Sequence, residues 1–210
     1  KKFIMDLTEV IESTLITIFV IVMIFTYLLH PVNVMGESMY PTLNDNDRIF
    51  MTTVYTAPKY GDIVIINNNA SYLLNENGEV YEKNIESSDL NECIIKRVIA
   101  SEGQEIDIDA SSPNSSEWTV MVDGKILDEP YISKNAITNE GCFSASFPFT
   151  VPDGYCFVMG DNRSNSSDSR HPDVGLIKNS QIYGKAIIKY SPFSDFKFLF
   201  NSWKKSTEEK

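Results

Sequence analysis

Charged residues vanish from the chain between Ser13 and Leu29, where STLITIFVIVMIFTYLL runs uninterrupted. At helical rise this run spans about 26 Å, close to the hydrocarbon thickness of a bilayer. The stretch predicts a transmembrane helix rather than a cleavable leader, because it is long for the apolar part of a leader and no small-x-small site follows at His30, Pro31, Val32 and Asn33. Lys1 and Lys2 precede the run and no Lys or Arg follows until Arg48, so the amino terminus is expected on the cytoplasmic side and the rest of the chain outside.

Beyond Leu29 the period changes. Short apolar runs rich in β-branched and aromatic residues alternate with turn signals: DRIFMTTVY, GDIVII, ECIIKRVIA, QEIDI, WTVMVDGKIL, GYCFVMG and YGKAIIKY. Each reads as a strand, so the exterior part is expected to be mainly β. Asp123-Gly124, between WTVMV and KIL, is a two-residue hairpin signal. Asn67–Asn91 and Ala110–Glu117 are polar and turn-rich and read as surface insertions. No internal repeat is visible.

With 210 residues, the chain has room for one membrane segment and one modest domain or two small lobes sharing a core. Hydrophobic residues make up 42% and charged residues 22%, which is a globular balance. A net charge of -11 argues against nucleic acid, whose phosphates need a basic surface. Cys93, Cys142 and Cys156 match no zinc spacing and supply no disulfide framework. They are read as buried thiols, with a Cys142–Cys156 bridge as the alternative.

Three stretches carry candidate chemistry. GESMYPTL, Gly36–Leu43, puts Ser38 shortly after the apolar run, with Pro41 close behind. In IIKRVIASEG, Lys96 interrupts an apolar strand and alternation gives it the face of Ile94 and Val98. Burial would lower its pKa, and a neutral amine is a base. GDNRSNSSDSRHPDVG, Gly160–Gly175, gathers acids, amides, hydroxyls and arginines. Taken singly each has a structural reading. Ser38 can be a turn residue, Lys96 can guard an edge strand against aggregation, and the third stretch can be a solvated turn.

Together they resemble the boxes of the bacterial type I signal peptidases, Gram-positive members especially. These are membrane-bound Ser–Lys endopeptidases that remove signal peptides from exported proteins. SMYPTL is similar to the serine box, GDIVII to the core strand that follows, KRVIASEG to the lysine box and GDNRSNSSDSR to the acidic, hydroxyl-rich box. GKAIIKYSPFSDF is similar to the family's closing segment. Order, spacing and the preceding apolar run agree over nearly the whole chain. Two departures stand out: Ala100, where the family often has glycine, and Gly36, where some members carry a hydroxyl that helps form the oxyanion hole.

The resemblance implies coiled antiparallel β-sheets, with a catalytic core at 30–103 and 154–198 and a smaller inserted lobe at 104–153. Segment 1–12 would be cytoplasmic, 13–29 the membrane helix and 199–210 a tail. It implies Ser38 as nucleophile, with its backbone N–H stabilising the oxyanion, Lys96 as general base and Ser166 as the hydroxyl that orients the amine. Arg97, Asp161, Asp168 and Arg170 would form a structural ion network. Val34, Met39 and Ile95 would line pockets for the small residues of an Ala-x-Ala site. Arg163 receives no role, and neither do His30 and His171. The implied partners are preprotein signal peptides and the lipid bilayer, with no cofactor, metal, nucleic acid or obligate protein partner. Its expected location is the bacterial cytoplasmic membrane, crossed once. The alternatives are a processing peptidase dedicated to a few exported substrates, a self-cleaving repressor of the SOS type, and a non-catalytic membrane-anchored β-domain. The apolar amino terminus stands against the repressor, and the presence of both Ser38 and Lys96 stands against the non-catalytic domain.

Overall fold

The computed structural model describes residues 2–55, 57–85, 93–110, 118–133 and 137–200. One helix, α1 (Lys2–Tyr27), leads into strands β1 (Leu29–Asn33), β2 (Arg48–Thr52), β3 (Ile63–Asn67), β4 (Ala70–Leu74), β5 (Val80–Asn84), β6 (Cys93–Ser101) and β7 (Glu105–Ala110). There follow β8 (Trp118–Val122), β9 (Lys125–Ile126), β10 (Phe149–Thr150), β11 (Tyr155–Met159), β12 (Ile177–Lys178), β13 (Ile182–Ser191) and β14 (Lys197–Phe198).

The helix begins earlier and ends earlier than its apolar run predicts. Its membrane-length window is Thr8–Tyr27, with mean hydropathy 2.2 and none of it buried against the rest of the chain. Much of the expected 1–12 segment is therefore helical. Leu29, expected at the helix end, opens β1 instead. Pro31 accounts for the early stop, since proline cannot continue a helix and biases the preceding residue toward extended backbone. Thr53 Oγ1 donates to the Tyr27 carbonyl at 2.9 Å, which satisfies one of the acceptors a helix end leaves open.

The main sheet is antiparallel, in the order β1-β2-β13-β3-β6-β11-β12, with β14 added beside β13. Strand β6 lies between β3 and β11, so Lys96 is on an interior strand and the edge-strand reading is wrong. A second antiparallel sheet, β10-β7-β8-β9, comes wholly from within 104–153. Its Asp123-Gly124 turn has φ of 53° and 69°, the left-handed pair that a primed hairpin turn requires. The two sheets share one core: Ile106, Ile108, Val120 and Val122 pack with Ile99, Ala100, Phe157 and Met159.

The stretch expected as a surface insertion after Asn67 is partly core. Strands β4 and β5 pair with each other, and Ala70, Ser71, Leu73 and Leu74 are buried. Leu74 belongs to the shared core. Gln181 Nε2 donates to the Ala70 carbonyl at 2.8 Å, and the Leu176 N–H to the Tyr72 carbonyl at 2.7 Å. The polar flanks NNN and NENG concealed a hairpin whose first strand is buried. Residues 86–91 of this stretch and 111–117 of the second expected insertion lie outside the described residues.

The cysteines also differ from expectation. Cys93, Cys142 and Cys156 are free, and only Cys156 is buried. Cys156 sits inside β11 while Cys142 is on the surface, so the Cys142–Cys156 bridge is absent.

Candidate active site

Ser38 belongs to a tight loop between β1 and β2. Its turns close through Tyr40 N–H to the Glu37 carbonyl at 3.0 Å and Leu43 N–H to the Met39 carbonyl at 2.9 Å. Asp47 ends the loop, accepting from the Asn44 N–H at 2.7 Å, while its own carbonyl accepts from the Val34 N–H at 2.8 Å. Beneath it lie Val34, Met39 and Leu43, packed with Ile49, Ile63 and Ile65. The loop is thus held by apolar anchors at its base and by hydrogen bonds along its rim.

Lys96 reaches this loop from β6. Its Nζ lies 2.8 Å from Ser38 Oγ and 3.0 Å from the Ile95 carbonyl oxygen. The side chain is buried, with 4% of its surface exposed. Burial lowers the pKa of its amine to about 8, against the opposing pull of Asp168 and Asp161. Desolvation wins because neither carboxylate is free: each is already paired with an arginine. Near neutral pH a usable fraction of Lys96 is the free amine, and a free amine next to a hydroxyl can accept its proton.

Ser38 and Lys96 line one cleft of about 470 Å³, together with Val34, Met39 and Ile95. All five residues expected at the reactive centre and its pockets therefore come together. Ser166 Oγ is buried without a hydrogen-bond partner, and the Lys96 amine donates to the Ile95 carbonyl and to Ser38. Ser166 packs against Gly160, where a Cβ would lie 2.2 Å from Ser166 Oγ and 2.5 Å from the Ser38 carbonyl oxygen. Only glycine allows so close an approach.

The expected ion network resolves into separate buried pairs. Arg97 grips Asp161 in bidentate fashion, at 2.8 and 2.6 Å, and also donates to the Gly61 carbonyl at 2.9 Å. Arg170 holds Asp168 through two contacts of 2.8 Å, while Asp168 accepts the Gly160 N–H at 2.9 Å. Burial acts to raise the Asp168 pKa, but the hydrogen bonds and charge of Arg170 outweigh it and hold the carboxyl below its ordinary value.

Arg163, without a role in the sequence, makes a third pair. It is buried against Glu129, donates to the Gly160 carbonyl at 3.1 Å and lies 6.0 Å from the Tyr131 ring, over which Arg97 sits at 4.0 Å. Tyr131 and Glu129 thereby brace the loop that carries Asp161. Nothing in the sequence signals this partnership, since 34 positions separate Glu129 from Arg163.

Gly36, with φ +81°, spends its own N–H on Asp45 Oδ1 at 2.8 Å. Its N–H is thereby committed, and glycine brings no hydroxyl of its own.

A family model described as "Signal peptidase, peptidase S26" matches residues 7–191. The chain belongs to this family. Signal peptidase I T of Bacillus subtilis (strain 168) is 33% identical over 196 residues, covering 89% of this chain and 86% of the relative. Signal peptidase IB of Staphylococcus aureus (strain MRSA252) is 30% identical over 208 residues, covering 93% and 95% respectively. A solved signal peptidase I from Enterococcus faecalis V583 aligns with a TM-score of 0.40 at 24% identity, over 62% of this chain and 97% of its own. The signal peptidase family match takes in both Ser38 and Lys96, as well as the 160–175 loop.

Proposed function

We propose that this protein is a signal peptidase I, a membrane-anchored serine endopeptidase that cleaves signal peptides from exported preproteins with Ser38 as nucleophile and Lys96 as general base. One observation carries the reading: a buried lysine amine 2.8 Å from a serine hydroxyl at the wall of a cleft. The family match supports the substrate class.

In the reaction so assigned, neutral Lys96 takes the Ser38 proton as Oγ attacks the scissile carbonyl. The resulting ammonium gives that proton to the departing amine, which is the new amino terminus of the mature protein. An acyl-enzyme remains on Ser38. Lys96, neutral again, deprotonates a water that hydrolyses the ester and releases the signal peptide. The Ser38 backbone N–H is assigned to the oxyanion. Val34, Met39 and Ile95 belong to the apolar lining of the cleft and are assigned to small side chains of an Ala-x-Ala segment. Helix α1 is assigned to the bilayer, with the amino terminus cytoplasmic and the β part outside, which would set the cleft near the membrane where a signal peptide is anchored.

The test is direct. Detergent-solubilised protein is incubated with a model preprotein and the new amino terminus is sequenced. Cleavage after small residues is expected, together with its complete loss in Ser38→Ala while the circular dichroism stays unchanged. Cleavage retained in Ser38→Ala would overturn the assignment.

A further inference from the structure

The peptide joining Glu37 to Ser38 is fixed from outside the reactive loop. Asn162 Nδ2 donates to the Glu37 carbonyl at 3.1 Å, and the Asn162 backbone N–H donates to the Ser38 carbonyl at 3.0 Å. The Tyr40 N–H also reaches the Glu37 carbonyl, at 3.0 Å. Glu37–Ser38 is not among the cis peptides, and in a trans peptide the C=O and the following N–H point in opposite directions. Holding the Glu37 carbonyl therefore aims the Ser38 N–H away from Asn162. Among the described residues that N–H donates to no acceptor. Asn162 is absent from the walls of the cleft, while Glu37 and Ser38 line it.

We propose that Asn162 is a positioning residue for the oxyanion hole: by clamping the carbonyls of Glu37 and Ser38, it presets the direction of the Ser38 N–H without touching substrate. The proposal rests on the Ser38–Lys96 reading above. Its physical content is preorganisation, because a donor already aimed at the developing oxyanion needs no reorientation as the reaction proceeds. Gly36 makes this more consequential, since it supplies no hydroxyl and its N–H is already committed to Asp45. Asn162 also starts a turn of its own, its carbonyl accepting the Asn165 N–H at 3.0 Å.

The experiment compares the parent with Asn162→Ala, which deletes the side-chain half of the clamp and keeps the backbone half. It measures preprotein kcat and KM, the pH dependence of kcat/KM, and the affinity of a peptide aldehyde, whose tetrahedral adduct with Ser38 carries the oxyanion. The expected result is a fall in kcat of about tenfold to hundredfold, short of the roughly 10²- to 10³-fold loss on deleting an oxyanion donor outright. KM and the midpoint of the pH profile stay put, and aldehyde affinity falls in parallel with kcat. Unchanged kcat, a rise in KM alone or a shifted pH midpoint would overturn the proposal, the last by showing an effect through Lys96. If Asn162→Ala does not fold, Asn162→Asp keeps size and turn preference while replacing the donor with an acceptor. It must show the same selective loss, and parent-like kcat in that variant overturns the proposal. A parent enzyme that neither cleaves nor binds the aldehyde would show that the Ser38–Lys96 reading itself is wrong, and this proposal would fall with it.

Discussion

Lys189 Nζ lies 2.5 Å from an Asp47 carboxylate oxygen, with both side chains out of water. Lys189 also pairs with Asp195, so a strand near the carboxyl end clamps the last residue of the loop that carries Ser38. Lys189→Met removes one partner of this pair and leaves Asp47 buried with too few donors. The expected cost is about 3–5 kcal/mol, measured by urea unfolding of the solubilised protein. Asp47→Asn in the Lys189→Met background should recover part of it, since the stranded charge is then gone.

The pH dependence follows from the Lys96 amine, lowered by burial to about 8. Cleavage is expected to rise with pH as the free amine appears, with a midpoint near that value. Stability runs in the same sense. Below about 8 the amine is charged in both folded and unfolded chains and the full penalty of burying it is present. From there up to the ordinary lysine value of 10.5 the unfolded chain binds more protons, so stability climbs. The climb attributable to this group is about 3 kcal/mol, at about 1.4 kcal/mol per unit. Urea midpoints across that range, compared between the parent and Lys96→Met, isolate the contribution. Lys96→Arg stays charged and is expected to be inactive at every pH.

Gly160→Ala forces a Cβ to within 2.5 Å of the Ser38 carbonyl oxygen, backbone that cannot yield without moving Ser38. A destabilisation of about 1–3 kcal/mol is expected, with cleavage nearly lost. Adding Ser166→Gly relieves the contact with the hydroxyl but not the one with the carbonyl. Initial cleavage rates should therefore stay low in the double variant.

Removing residues 67–82 takes away all of the buried strand β4, including Leu73 and Leu74 at 3% exposure each, and much of its partner β5. Circular dichroism is expected to show loss of the folded state. Replacing only the exposed tip, Glu76-Asn77-Gly78, by a short polar turn should leave both fold and cleavage intact.

The β architecture was legible wherever β-branched apolar residues were dense, as in GDIVII and ECIIKRVIA, both of which became interior strands. It was hidden where polarity masked burial. In SYLL the apolar residues are few and flanked by asparagines, and in LHPVN a histidine and a proline follow what looked like a continuing helix. Pro31 is tolerated there because β1 is the edge of its sheet. The closeness of Ser38 and Lys96 was legible only through resemblance, since 58 positions separate them and no periodicity links them. Partnerships such as Arg163 with Glu129 and Asn162 with Glu37 depend on how loops fold back across sheets. Short-range patterns carry no information about that.

Because Lys96 stands on a strand hydrogen-bonded on both sides while Ser38 stands on a loop, the two halves of the pair have unequal mechanical support. Apart from the Asn162 N–H on the Ser38 carbonyl, the loop's backbone–backbone bonds are made within itself, whereas an interior strand shares its bonds with two neighbours and opens last. On warming, the serine should drift from an amine that is still in place. Heat inactivation would then precede melting of the sheet and reverse on cooling, with the loop between Val34 and Asp47 acting as the thermal fuse of the enzyme.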